Sequence, residues 1–282
     1  MENIGPSALI VEGGAMRGVY SCGILDYFLD HDFSPFDSFW GVSAGASNLA
    51  AFLAKMPRRN RQIYTDYSCR GNFITPWQFL RGGNLMDLDW MWQITLHELG
   101  MDIEALQAEK RPFFLGVTHR QSGQAEYHCP TVDRLIDTMK ASSAVPIVYR
   151  NGVTLAGQDY VDGGVSDAIP VAEAIRRGAT QIMVLRSRPA DYRKSATPCP
   201  CLFQAMMKET PALIPLMLTR HSRYNQTLAL MASPPQGVRI IQIYPPTDLH
   251  IKRLGNTPAS MENAYQTGYR AGAAAIARWQ QG

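Results

Sequence analysis

The chain lacks most of the marks of a secreted, membrane-spanning, nucleic-acid-binding or metal-dependent protein. Of its 282 residues only five are cysteines (Cys22, Cys69, Cys129, Cys199, Cys201), an odd number with no CxxC pair and no zinc-like spacing to histidine. Reduced thiols in a cytoplasmic protein are therefore expected. Long hydrophobic runs are also missing. The apolar run Ala8–Val11 is soon followed by Gly13 and Gly14, too short for a signal-peptide core, and no stretch approaches the roughly 18 apolar residues of a membrane-spanning helix. Any membrane contact should thus be peripheral. Excess charge is small: a net +3 is too mild for a dedicated nucleic-acid surface, though compatible with anionic lipid. The densest basic run, Arg58, Arg59 and Arg61, reads as a solvated helix start. The pair His97-Glu98 has no second histidine to make HExxH, and GxxxxGK[ST] is absent, so neither a metal nor another cofactor is implied.

What is present is the balance of a compact globular protein, 46% hydrophobic and 18% charged, at a length near the upper limit of one α/β domain. Ala8–Glu12 reads as a buried strand running into a glycine turn, and Val19–Leu29 then carries apolar pairs at helical spacing. The pattern repeats with a strand at Phe39–Val42 and an Ala- and Leu-rich helix at Ala44–Lys55. Further strands are expected at Phe113–Thr118, Glu126–Cys129, Val153–Leu155, Gln181–Arg186 and Arg239–Tyr244, with helices at Val132–Ala141, Val171–Arg177 and Ser260–Trp279. Such alternation implies an α/β fold, a mostly parallel sheet sandwiched by helices. Two stretches interrupt it. Residues 67–101 concentrate Phe73, Trp77, Phe79, Trp90, Met91 and Trp92, and residues 198–231 mix prolines with apolar runs. Both read as helical insertions, serving either as ordinary core over one face or as a hydrophobic lid or acyl-chain cleft.

Three motifs carry chemistry. Gly41-Val42-Ser43-Ala44-Gly45 matches GxSxG, a pattern that chance produces in about one chain in ten of this length at average glycine usage. Its position between a strand and a helix is what a nucleophile elbow needs, with Gly41 and Gly45 permitting the turn and Ser43 as the nucleophile. Glu12-Gly13-Gly14-Ala15-Met16-Arg17-Gly18 lies between the first strand and its helix, where backbone N–H groups can meet an anion. A GxGxxG nucleotide fingerprint would need glycine at Ala15, so an oxyanion hole is the better use, with Gly14 and Ala15 as donors. Arg17 either steadies this loop through hydrogen bonds, the preferred role, or meets a lipid phosphate. Asp162-Gly163-Gly164 puts a carboxylate at a strand end in a glycine turn, by itself common turn chemistry. A histidine completing a triad would have to be His221, which reads as part of a polar helix face, or His250, in an expected loop.

The ordered set GGAMRG, GVSAG and DGG resembles the patatin-like phospholipase family, whose members use a Ser–Asp dyad without histidine. Ala141-Ser142-Ser143-Ala144-Val145-Pro146, similar to the family's loop ahead of the aspartate, agrees with this, as does Ile169-Pro170-Val171 leading to Arg177-Gly178-Ala179. The resemblance covers residues 7–187, leaving 188–282 as a helical extension completing the same domain. It implies that Ser43 attacks an ester carbonyl, that Asp162 accepts its proton, and that residues 13–18 supply the oxyanion site. The substrate so implied is a lipid ester, and the same acyl-serine would serve an acyltransferase. A catalytically weak lipid-binding protein is a further alternative, with Ala15, the clearest departure from the family's glycine loop, as its symptom. A carboxylate with an ordinary pKa of about 3.9 is a poor base for serine, so Asp162 should be desolvated or tightly oriented.

Overall fold

The computed structural model describes residues 4–281 except 71–76, 78–80, 82, 86, 147, 150, 151, 208 and 209. The expected cleft residues Phe73 and Phe79 lie outside that set. The described strands are β1 (Ser7–Val11), β2 (Ser38–Val42), β3 (Phe113–His119), β4 (Ala125–His128), β5 (Val153–Leu155), β6 (Gln158–Asp162), β7 (Gln181–Leu185) and β8 (Arg239–Ile243). The helices are α1 (Val19–Asp30), α2 (Ala44–Leu53), α3 (Arg59–Thr65), α4 (Leu88–Leu99), α5 (Ile103–Ala108), α6 (Val132–Ser143), α7 (Val171–Arg176), α8 (Pro200–Met206), α9 (Leu213–Ala232) and α10 (Pro258–Gln280). None of the described helices is long and apolar enough to cross a membrane.

The strands form one mixed, mostly parallel sheet in the order β5-β6-β3-β2-β1-β7-β8, with β4 paired to β3. Its central strands are apolar on both faces because helices cover both. On β1, Leu9 and Val11 join one core cluster and Ala8 and Ile10 the other, and β7 divides Met183 and Leu185 from Ile182 and Val184 in the same way. This period of two explains why these strands read as continuous apolar runs rather than as alternating ones. Helices α1, α2 and α10 pack on the first face, while α7 and α9 supply Val171, Tyr224 and Leu228 to the second.

The antiparallel part of the sheet positions the site. Gly116 of β3 is opposite Val42 of β2, and the next residue, Val117, is opposite Asp162 of β6. Since β4 occupies the other edge of β3 at these positions, β6 takes over the pairing where β2 ends. The residue that follows Val42 therefore emerges next to Asp162.

Several expectations are corrected. The run Arg58–Arg61 does begin α3, but it is not merely solvated. Arg58 pairs with Asp30, Arg61 with Glu262 at 2.8 Å, and Arg59 is buried with its Nε donating to the Gly100 carbonyl at 2.6 Å. Residues Ala141–Ser143 are the last turn of α6 rather than loop. Within the helical insertion expected at 198–231, residues 213–232 do form one helix, and Pro215 is tolerated because it falls in the first turn, where no intrahelical N–H bond is lost.

Candidate active site

Each motif sits where an element ends. Ser43 follows β2 and caps α2 with φ 54° and ψ −125°, a left-handed backbone that a serine adopts only under constraint, at a cost of about 1–3 kcal/mol. Two features hold it there. The Ser43 N–H donates to Ser142 Oγ at 2.8 Å, and that hydroxyl in turn donates to the Gly116 carbonyl at 2.6 Å, fastening the turn to β3 through the last turn of α6. Gly45 lets α2 descend onto β1, since a β-carbon there would collide with the Val11 carbonyl. Gly41 lies on β2 itself. The side chain of Ser43 thus stands at the start of a helix, where developing negative charge is favoured.

Asp162 ends β6 and is 5% exposed. Its Oδ1 accepts the Gly164 N–H at 2.7 Å, and Gly163 and Gly164 begin a buried 3₁₀ turn. Thr118 Oγ1 donates to the Asp162 carbonyl at 2.9 Å, which fixes the residue's backbone to β3. Burial raises the Asp162 pKa, while Arg220, the hydrogen-bonding Ser43 hydroxyl, the Gly164 N–H and Arg253 oppose the rise. The desolvation expected of a carboxylate that must act as a base is therefore present.

The third motif follows β1. Gly14 precedes a 3₁₀ turn over Ala15–Gly18, and the N–H groups of Gly14 and Ala15 donate to no group among the described residues. Ala15 has φ 50°, the left-handed conformation that glycine adopts without cost, so its methyl group stands at the strained position of the loop. Gly13 and Gly14 line one cavity with Ser43 and Asp162. Arg17 is 8% exposed, and its Nε has no hydrogen-bond partner among the described residues, so that atom does not steady the loop by hydrogen bonding. Burial, followed by repulsion from Arg188 and Arg253, lowers its pKa to about 10.

Two cavities meet at Ala15 and Ser43. One, of about 150 Å³, is walled largely by apolar side chains, including Met16, Leu88, Met91, Trp92, Met101 and Met139. The aromatic-rich stretch 67–101 thus contributes to both core and cleft: Trp92 reaches the cavity, Trp90 packs beside Leu88, Ala144 and Tyr149, and Trp77 is 74% exposed. The other, of about 80 Å³, contains Asp162, Gly164, Met217, Arg220 and Arg253. Neither His221 nor His250 lines either cavity.

Sequence reasoning misses Arg220 and Arg253, which line the second cavity. Arg220 reads in the sequence as part of a polar helix face. No local motif marks these residues, because they come together only through the packing of α9 and the loop before α10. The clamp role of Ser142 is likewise invisible in the sequence, although its segment stands out there.

These features define a class: an α/β protein with a serine elbow at the end of a parallel strand, facing a buried carboxylate. Comparison with known proteins specifies it further. A family model described as patatin-like phospholipase matches residues 9–175, and the chain belongs to that family, which comprises lipid hydrolases and esterases. A second model, Domain of unknown function (DUF6363), matches residues 210–282. The chain is 35% identical over 272 residues to the uncharacterized protein YjjU of Escherichia coli (strain K12), covering 94% of this chain and 75% of that one. Among solved structures it is similar to VipD from Legionella pneumophila, with a TM-score of 0.45 and 12% identity, covering 96% of this chain and 67% of that chain.

Proposed function

We propose that the chain is a lipid acyl hydrolase working through a Ser43–Asp162 dyad and an acyl-serine intermediate. The observation that carries this reading is the strained Ser43 elbow sharing one cavity with a buried, desolvated carboxylate and the unpaired Gly14 and Ala15 N–H groups. Ser43 Oγ attacks the ester carbonyl as Asp162 takes its proton. The oxyanion of the tetrahedral intermediate is held by Gly14 and Ala15, donors worth about 3–4 kcal/mol each in comparable sites. Asp162 then passes the proton to the departing alkoxide. Water, deprotonated by the same carboxylate, releases the acid and regenerates Ser43. The apolar cavity beside Met91 and Trp92 accommodates the acyl chain, the rest of the lipid enters from a membrane that the protein touches peripherally, and 188–282 completes the same folded unit as 7–187.

Labelling of the native protein with a fluorophosphonate probe, with the modified peptide mapped by mass spectrometry, tests this directly. Modification confined to Ser43, and absent in Ser43→Ala, is the expected result. A folded protein that stays unlabelled in the presence of lipid micelles would remove the activated nucleophile.

A further inference from the structure

The cavity on the other side of Ser43 from the acyl pocket is built unlike a place for an alcohol leaving group. The Arg220 guanidinium is buried there, and its Nε has no hydrogen-bond partner among the described residues. Arg253 lines the same cavity, and its side chain donates no hydrogen bond among those residues. Lys194 lies close enough to Arg17, Arg220 and Arg253 to be repelled by all three. Among the described residues the carboxylates that offset these four cations and the neighbouring Arg188 are Glu12 and Asp162, and both are engaged. Glu12 accepts from the Ser187 N–H at 2.6 Å and from the Tyr224 hydroxyl at 2.8 Å, while Asp162 accepts from Gly164. An excess of at least two positive charges around the buried Arg17 and Arg220 is costly without an anion to share. Burial and this mutual repulsion push Lys194 down to about 7, as expected of a site short of negative charge.

We infer that this cavity is a subsite for a phosphate monoester group, presented by the lipid whose ester Ser43 cleaves. A phosphate monoester carries about −1.5 to −2 charges at neutral pH, which matches the excess, and a guanidinium fork meets its oxygens in a bidentate fashion. A carboxylate or phosphodiester, with one negative charge, would leave more of that excess unmatched. Arg220 and Arg253 both fall within residues 210–282, so the segment matched to a domain of unknown function acquires a role, supplying the charges that recognise the head group. The inference rests on the hydrolase reading for its lipid, but not for its anion.

The test compares kcat/KM of the full-length protein for phosphatidic acid and for diacylglycerol of the same acyl chains in mixed micelles. Charge-assisted contacts of this kind should favour phosphatidic acid by about tenfold or more. Arg253→Gln, at an exposed position with no side-chain hydrogen bond to lose, should collapse that preference by raising KM for phosphatidic acid well beyond any loss on diacylglycerol that follows from its support of Asp162 ionisation, and Lys194→Gln should do so in part. Equal turnover of the two lipids by the wild type, or an equal loss on both in Arg253→Gln, overturns the subsite. A second arm needs no turnover. Inorganic phosphate titrated into Ser43→Ala should raise Tm saturably, and adding Arg253→Gln should abolish the rise. That outcome upholds the anion site even if no ester is hydrolysed, while a flat titration overturns it. Competition between inorganic phosphate and phosphatidic acid assigns the subsite to the lipid's own phosphate; stimulation of diacylglycerol hydrolysis by inorganic phosphate overturns that assignment in favour of the free ion.

Discussion

At the scale of single residues the site is a contest over one proton. Burial destabilises the charged form of Asp162, and Arg220 is the strongest of the neighbours that restore it. In the proposed dyad the carboxylate must be ionised to accept the Ser43 proton, so activity should fall as pH drops through the Asp162 pKa. Removing Arg220 takes away a charge that favours ionisation, and the pKa climbs further. In Arg220→Met the acidic limb of the kcat/KM profile on a neutral ester should therefore move to higher pH, whereas a limb left in place would show that Arg220 does not act on Asp162. The companion variant Asp162→Asn keeps the Oδ1 acceptor for the Gly164 N–H and loses the base. It should retain the wild-type Tm while kcat drops by about 10²–10⁴-fold, the usual worth of a positioned general base.

Elements bring these residues together, and their junctions are where the chain is least free. The elbow is fastened to β3 by the Ser142 hydroxyl at the end of α6, which accepts from Ser43 and donates to Gly116. Ser142→Ala leaves a buried N–H and a buried carbonyl without partners, which should lower unfolding free energy by about 1–3 kcal/mol and slow fluorophosphonate labelling of Ser43. The neighbouring Ser143→Ala, which removes no such bridge, should stay within about 0.5 kcal/mol of wild type in urea titrations. Strand–turn–helix order around Ser43 and residues 13–18 is legible in the sequence, since buried strands and glycine turns leave local patterns. The pairing of Val42 and Asp162 along β3 is not, because register is a long-range property. For α9 the helical character is legible but its bounds are not, since they depend on packing against the body.

For the whole molecule, the C-terminal segment is bound into the body rather than appended to it. β8 extends the sheet beside β7, and α10 lies along α1 over one face of the core, where Ala275 is fully buried and Trp279 packs on Phe36. The alanine- and glycine-rich composition of residues 260–279 announces such close packing, and the contact is backbone to backbone: a β-carbon at Gly268 would strike the Tyr20 carbonyl, and one at Gly23 the Tyr265 carbonyl. Tyr265 also donates from its hydroxyl to the buried Asp26 at 2.8 Å, so α10 cannot slide to make room. Gly268→Leu should consequently lower unfolding free energy by about 3 kcal/mol or more, read as a shift of the urea midpoint. The same separation would displace the loop before α10, whose Arg253 carbonyl accepts the Met16 N–H at 3.4 Å. Activity should thus fall at denaturant concentrations where the variant is still folded. A Gly268→Leu protein with a wild-type midpoint would mean that α10 packs without the backbone contact and that the cationic cavity does not depend on it.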